Sequence, residues 1–226
     1  MYGVQTVGDS ERCVPRCLLA QCLRARARAQ AGQAGAWYHR RDMQDPIERL
    51  MQEHRLIEEV LAALRRFALG VPEARSGERE RLGQFVDFLA NFADREHHGK
   101  EEDVLFVAMV EAGMPHDTGP IACMRHEHDD GRAHVAALRR AAERSDAWSA
   151  EQRHAVARHA MDFVQLLAAH IQKEDQVLYP MARDRLSEAQ WQQVGERAAL
   201  MDAENAAIGQ TVRLEELGRT LAASCI

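Results

Sequence analysis

Aromatic residues make up only 5% of this 226-residue chain, and runs of Val, Ile and Thr are missing. A core built on pleated sheets is not expected from such a composition. No apolar run approaches the ~18–20 residues that span a bilayer, so no membrane partner is expected. Cysteine is sparse and odd in number, at five. A secreted disulfide scaffold is shorter and denser in cysteine, so a reducing cytoplasm fits better. Cys13, Cys17 and Cys22 lack a second pair at zinc-site spacing and are not read as ligands. Positive charge is not in excess either. Lys and Arg number 29 against 35 Asp and Glu, a net charge of −6, which argues against nucleic acid as a partner.

What the chain does contain is Ala, Leu, Arg, Glu and Gln, all strong helix formers. With 46% hydrophobic and 28% charged residues, it reads as an ordinary globular chain of the all-α class. Residues 1–42 stand apart. They carry seven arginines against three acids, a net +4 that leaves −10 for the remainder. They show no helical apolar stripe and are read as a basic, poorly ordered extension.

From Asp45 onward the pattern is helical. Asp45 suits an N-cap and Pro46 the first helical position. Ile47, Leu50, Ile57, Leu61 and Leu64 then mark one face, up to a stop at Gly70-Val-Pro72. Ser76 is read as the cap of a second helix, with Leu82, Val86, Leu89, Ala93, Val104 and Ala108 on its stripe. That helix ends at Gly113-Met-Pro115. A third runs from about Thr118 to Ser145-Asp146, and a fourth begins near Ser149 and reaches Met181. Ser187-x-x-Gln190 has the form of a capping box for a further helix, and a short last helix is expected over 211–223. Four long amphipathic helices joined by short turns predict an antiparallel up-down four-helix bundle over 45–185, followed by a C-terminal helical segment at 186–226.

The apolar stripes have gaps, and histidine and glutamate fill them. His54 lies between Leu50 and Ile57; His97 and Glu101 lie between Ala93 and Val104. His128 lies between Met124 and Val135, and His170 and Glu174 between Leu167 and Val177. Residues four apart differ by only ~40° round an α-helix, so each His-x-x-x-Glu pair points inward as a unit. The arrangement is duplicated. The segment Glu53–Leu64 resembles Glu127–Leu138, and His97–Phe106 resembles His170–Tyr179. His97 follows His54 by 43 residues and His170 follows His128 by 42. Two similar hairpins would thus meet about a pseudo-twofold axis, each bringing one lone histidine and one His-x-x-x-Glu pair.

Burying one isolated carboxylate costs several kcal/mol, and an unpaired imidazole ~1–3. Six such residues in repeat register would stabilise nothing by themselves, whereas cations would offset the cost and use every donor atom. The set contains no thiolate. Mixed imidazole and carboxylate suits iron, manganese or zinc, with two carboxylates able to bridge two ions.

The ordered pattern H…HxxxE…H…HxxxE over 45–185 resembles the hemerythrin-like (HHE cation-binding) family. The phrases that carry it are Asp45–His54, His97–Phe106 and His170–Pro180. The resemblance implies a pair of non-haem iron ions, oxo- or hydroxo-bridged, with manganese or zinc as alternatives. It carries His54, His97, Glu101, His128, His170 and Glu174 over as ligands. Oxygen-carrying hemerythrins have a fifth histidine four residues from the one on the third helix. Here Met124 and Arg132 occupy those positions. Relatives lacking that histidine include proteins with peroxide-decomposing, nitric-oxide, iron–sulfur-repair and sensing roles.

His98-x-x-x-Glu102 repeats the spacing but lies ~100° round the helix, so it is the less favoured pair. Glu58 follows His54 by four and is a possible extra oxygen ligand and acid. His126, with Asp130, is read as surface; His134 as a flank residue; His39, His116, His154 and His159 as ordinary surface histidines. Glu151-x-x-His154 occurs once, where ferritin-type chemistry needs the motif twice. Cys123-x-x-His126 has no partner pair. The function expected is binding of O2, NO, peroxide or iron at an open di-iron site, in sensing, buffering or stress response. The alternative is an enzyme that decomposes hydrogen peroxide or reduces nitric oxide, and a third reading is a purely structural helical module. A monomer or homodimer is expected.

Overall fold

The computed structural model describes residues 45–73 and 78–223. The expected basic extension over 1–42, the cysteines within it and the Ser76 cap lie outside the described residues. Among the described residues there is no strand, and no helix is long and apolar enough to cross a membrane.

Helix α1 spans Pro46–Gly70. The Asp45 carboxylate accepts a hydrogen bond from the Ile47 amide at 2.9 Å. This satisfies one of the first-turn donors that a helix cannot pair internally. Gly70 leads into a single 3₁₀ turn, Val71–Glu73. Helix α2 covers 78–111 and ends at Gly113, whose φ of +91° only glycine adopts without strain. Helix α3 is Gly119–Ala142, and α4 covers 150–185. Ser149 and Gln152 cap α4 reciprocally; Ser187 and Gln190 do the same for α5, Glu188–Ala207. The last helix, α6, is Gln210–Ala223.

The apolar stripes divide into two clusters. One gathers Ile57, Leu64, Phe85, Phe88, Phe163 and Leu167 with their neighbours. The other gathers Ile47, Leu50, Phe106, Met109, Met124 and Tyr179. In α1 and α3 the second cluster's residues precede the histidine and the first cluster's follow it. In α2 and α4 the order reverses. A buried polar layer of histidine and glutamate therefore lies between two greasy ends. Helix α4 packs against α1 and α3, and α2 against α3. Helix α6 lies against α1 and α2, closing the apolar cluster with Leu214 and Leu221.

That last contact is close. A Cβ on Gly218 would sit 2.5 Å from Phe88 Cε2 and 3.2 Å from Leu56 Cδ1. Both neighbours are held in packed surroundings, so overpacking is expected to cost about 1–3 kcal/mol. Gly218→Ala should lower the thermal unfolding midpoint by several degrees. Gly83→Ala should leave it equal or raise it, because a Cβ there meets nothing within 4 Å and alanine is the better helix former.

Candidate metal centre

Two backbone features shape the polar layer. Helix α2 adopts wide π turns over Leu89–His98 and Glu101–Leu105, and α4 does so over Glu174–Leu178. The bonds run from residue i to i+5: the Gly99 amide donates to Asp94, Phe106 to Glu101 and Tyr179 to Glu174. Such turns hold more residues per turn than an α-helix and are frequent at functional sites. Here they bring His97, His98 and Glu101 to the interior together. All three are buried, at 1%, 5% and 0% relative exposure.

The donors fall into two sets, each with its ligand atoms within 4.8 Å of one another. One is His54, His97, Glu101 and Glu174; the other is His98, Glu101, His128 and His170. The carboxylates reach across. Glu174 Oε2 lies 3.3 Å from His54 Nε2 in the first set, and Oε1 lies 3.0 Å from His170 Nε2 in the second. Glu101 Oε2 is 3.7 Å from His97 Nε2 and 3.6 Å from His128 Nε2. The Nε2 atoms of His128 and His170 face each other at 3.0 Å.

Every one of the five imidazoles has its outer nitrogen backed by a carboxylate. His54 Nδ1 meets Asp175 at 2.7 Å, His97 Nδ1 meets Glu53 at 3.0 Å, and His98 Nδ1 meets Asp94 at 3.3 Å. His128 Nδ1 meets Glu102 at 2.6 Å, and His170 Nδ1 meets Glu127 at 2.9 Å. A carboxylate on one ring nitrogen fixes the tautomer and turns the other nitrogen inward as a lone-pair donor. The backing follows the sequence repeat. Asp175 and Glu102 each follow a buried donor glutamate, Glu174 and Glu101, and serve the opposite hairpin's lone histidine. Glu53 and Glu127 each precede a lone histidine and receive a lysine, Lys100 and Lys173 respectively.

The symmetry breaks at two places. His98 corresponds to Ile171, so only one set gains a third imidazole, whose ring stacks on His128 at 3.8 Å between centroids. Tyr179 corresponds to Phe106, so only the other set gains a hydroxyl. That hydroxyl donates to Glu101 Oε1 at 2.7 Å and lies 3.3 Å from His54 Nε2.

Burial and neighbours set the protonation of the metal-free site. Burial opposes charge on His54, but Asp175 and Glu174 outweigh it and raise the pKa to about 9. Burial likewise opposes charge on His170, and Glu174 and Glu127 overcome it, to about 10. Glu174 is held well below the usual carboxylate range by those two imidazoliums despite its burial. Glu101 is pushed well above that range by burial and by the charge on Glu174. Burial lowers His97, His98 and His128 and raises the Tyr179 hydroxyl.

The donor set fits cations. Glu101 Oε2 and His98 Nε2 are buried without a hydrogen-bond partner, and the Glu174 oxygens meet only the ring nitrogens of His170 and His54, at 3.0 and 3.3 Å. Leaving such groups unpaired is costly in a low-dielectric interior; shared ions would satisfy all of them. A family model of the hemerythrin HHE cation-binding domain matches residues 45–182. The chain belongs to that family. No curated protein and no solved structure gives a significant match.

In this HHE chain the six residues expected from sequence come together in the two donor sets. His98, the less favoured neighbour, joins them as a fifth imidazole, carried by α2 rather than by the third helix. Glu102, its expected partner by spacing, stays outside and backs His128. Glu58 does not reach the site. It is half exposed and pairs with Arg55 at 2.9 Å, because in an α-helix its side chain points past the layer toward solvent. His116, His126 and His154 are exposed, while His134 and His159 are half-buried and face each other at 3.2 Å. The sequence reading gives no role to Tyr179 or to the backing acids Glu53, Asp94, Glu127 and Asp175, and takes Glu102 only as His98's partner by spacing. The duplicated Glu-His and Glu-Glu/Glu-Asp dipeptides were the available signal for the acids.

These protonation states predict an opposite pH response with and without metal. Charged His54 and His170 have pKa values above the ordinary 6.5. They stabilise the metal-free fold fully below that pH, and the contribution is lost as pH rises through about 9 to 10. Metal must displace the same protons, so its affinity rises with pH. Thermal unfolding should therefore show the gap between loaded and metal-free protein widening from pH 6.5 toward 9. A gap that narrows would contradict the assignment.

Proposed function

We propose that this chain is a non-haem di-iron protein. Residues 45–185 form an antiparallel up-down four-helix bundle around the metal pair, and 186–226 form an appended helical segment. The observation that carries the reading is the pair of donor sets that share Glu101, with Glu174 of the first set reaching His170 of the second and every imidazole backed by a carboxylate. In this reading His54 and His97 hold one ion. His98, His128 and His170 hold the other. Glu101 and Glu174 would be shared between them. Manganese or zinc would be accepted by the same donors, but two bridging carboxylates with two or three imidazoles per ion favour iron.

Bound iron would supply a redox couple and an open coordination position for O2, NO or peroxide. The protein's own part is to bind and orient. The backing acids hold the imidazole tautomers, and the two apolar clusters keep bulk water from the layer. The first set, with two imidazoles against three, would leave its ion more positions free for a ligand, and there the Tyr179 hydroxyl keeps its proton at Glu101 Oε1. Binding for sensing or buffering is the function favoured. The acid that an enzyme would draw on by sequence position, Glu58, faces solvent. The enzymatic alternative rests on Tyr179, whose protonated hydroxyl touches the first donor set.

Iron-loaded protein tested by visible spectroscopy separates these readings. We expect two irons per chain and a saturable spectral change with NO or peroxide, without sustained oxygen release from peroxide. Glu174→Ala should reduce bound iron to well under one per chain. His98→Ala should weaken one of the two ions by about 10–100-fold, as loss of a ligand or its support does. Continuous oxygen evolution, lost in Tyr179→Phe, would favour the enzyme. Purified and reconstituted protein without stoichiometric metal would refute both.

A further inference from the structure

A cavity of about 330 Å³ opens beside the second donor set, between α2, α3 and α4. This is within the size range of small-molecule pockets. His98 and His128 line its inner end, and His98 carries a buried, unpartnered Nε2. Its walls are apolar: Leu89, Ala93, Val135, Phe163, Leu166 and Leu167. Arg139 and Arg140, both exposed, line its outer end. Along α3, His128 and Arg139 are eleven residues apart, or roughly 16 Å at the helical rise.

Charge at this cavity is one-sided. The acids that line it, Asp94 and Glu127, are already engaged, by Arg132 at 2.8 Å and by Lys173. Asp87, whose charge Arg139 senses, is paired with Arg213 at 2.6 Å. Among the described residues Arg139 and Arg140 form no ion pair. Arg132 does not compete for a ligand, because Asp94, Glu102 and Asp129 hold its guanidinium. A long apolar wall with two guanidinium groups at its mouth complements a molecule with an apolar tail and an anionic head. The chain's own arginine-rich first 42 residues have the wrong sign for it.

We propose that this cavity binds a medium-chain monocarboxylate of the fatty-acid type. Its carboxylate sits at Arg139 and Arg140, and its chain runs along α3 toward His98. Gly131 makes the inner end passable. A Cβ there would touch Phe163 at an ordinary 3.5 Å, so it is the further atoms of a larger side chain that would fill the space. Binding itself does not depend on metal. Its influence on the centre rests on the di-iron reading above.

Calorimetric titration of the full chain tests this, with dodecanoate below its micelle concentration as the probe. Dodecyltrimethylammonium supplies the same tail with the opposite charge, and acetate the head alone. We expect one dodecanoate per chain in both metal-free and loaded protein. Dodecyltrimethylammonium should bind at least about tenfold more weakly, and acetate should give no signal. Reversing the mouth with Arg139→Glu and Arg140→Glu together, both at exposed positions, should invert the preference between the two amphiphiles. Gly131→Leu should abolish binding of either. Equal affinity for the two amphiphiles, or an unchanged preference after charge reversal, would overturn the proposal. In iron-loaded protein dodecanoate should also shift the visible spectrum. A protein that binds dodecanoate but no iron would uphold the cavity assignment and refute the di-iron one.

Discussion

The fold is organised round an electrostatic problem. Two glutamates, each with 0% exposure, sit at the middle of an all-helical interior among five imidazoles. Carrying one unpaired carboxylate into such a place costs several kcal/mol even after relaxation. In the metal-free protein the cost is limited by protons: His54 and His170 are held charged beside Glu174, and burial pushes Glu101 toward its neutral form. That settlement still leaves Glu101 Oε2 and His98 Nε2 buried without a hydrogen-bond partner. Cations resolve it, which is why the apolar clusters at either end, the backing acids and the π turns all make sense as a housing for metal.

The housing is built twice and then broken in two places. Each hairpin supplies a lone histidine, a His-x-x-x-Glu pair, an acid for the partner hairpin's histidine and a lysine behind its own backing acid. Exact duplication would make two equal positions. His98 and Tyr179 make them unequal, giving one three imidazoles and the other a hydroxyl. Unequal positions are a physical basis for directing a small ligand to one of them. The cavity lies on the His98 side and the hydroxyl on the Tyr179 side, so approach and chemistry need not share a face.

Much of this was legible in the sequence. The helix starts at Asp45, Ser149 and Ser187 follow from capping chemistry, and the six inward donors follow from gaps in the apolar stripes. His98 did not follow, because the helical wheel assumes ~100° between neighbours and the π turns of α2 do not obey it. Nothing in the side-chain pattern announces a π turn. The backing acids escaped for a different reason. Asp175 serves His54 and Glu102 serves His128, contacts across 121 and 26 residues, and only the pseudo-twofold relation brings them together. Glu58 misled because spacing along α1 says nothing about what faces it; Arg55 and solvent do.

Anomalous diffraction at the iron edge from crystals of iron-loaded protein tests the central claim most directly. Two peaks inside one chain are predicted, both in contact with Glu101 and Glu174, one flanked by His54 and His97 and the other by His98, His128 and His170. One lone peak, or peaks away from these seven side chains, would contradict it.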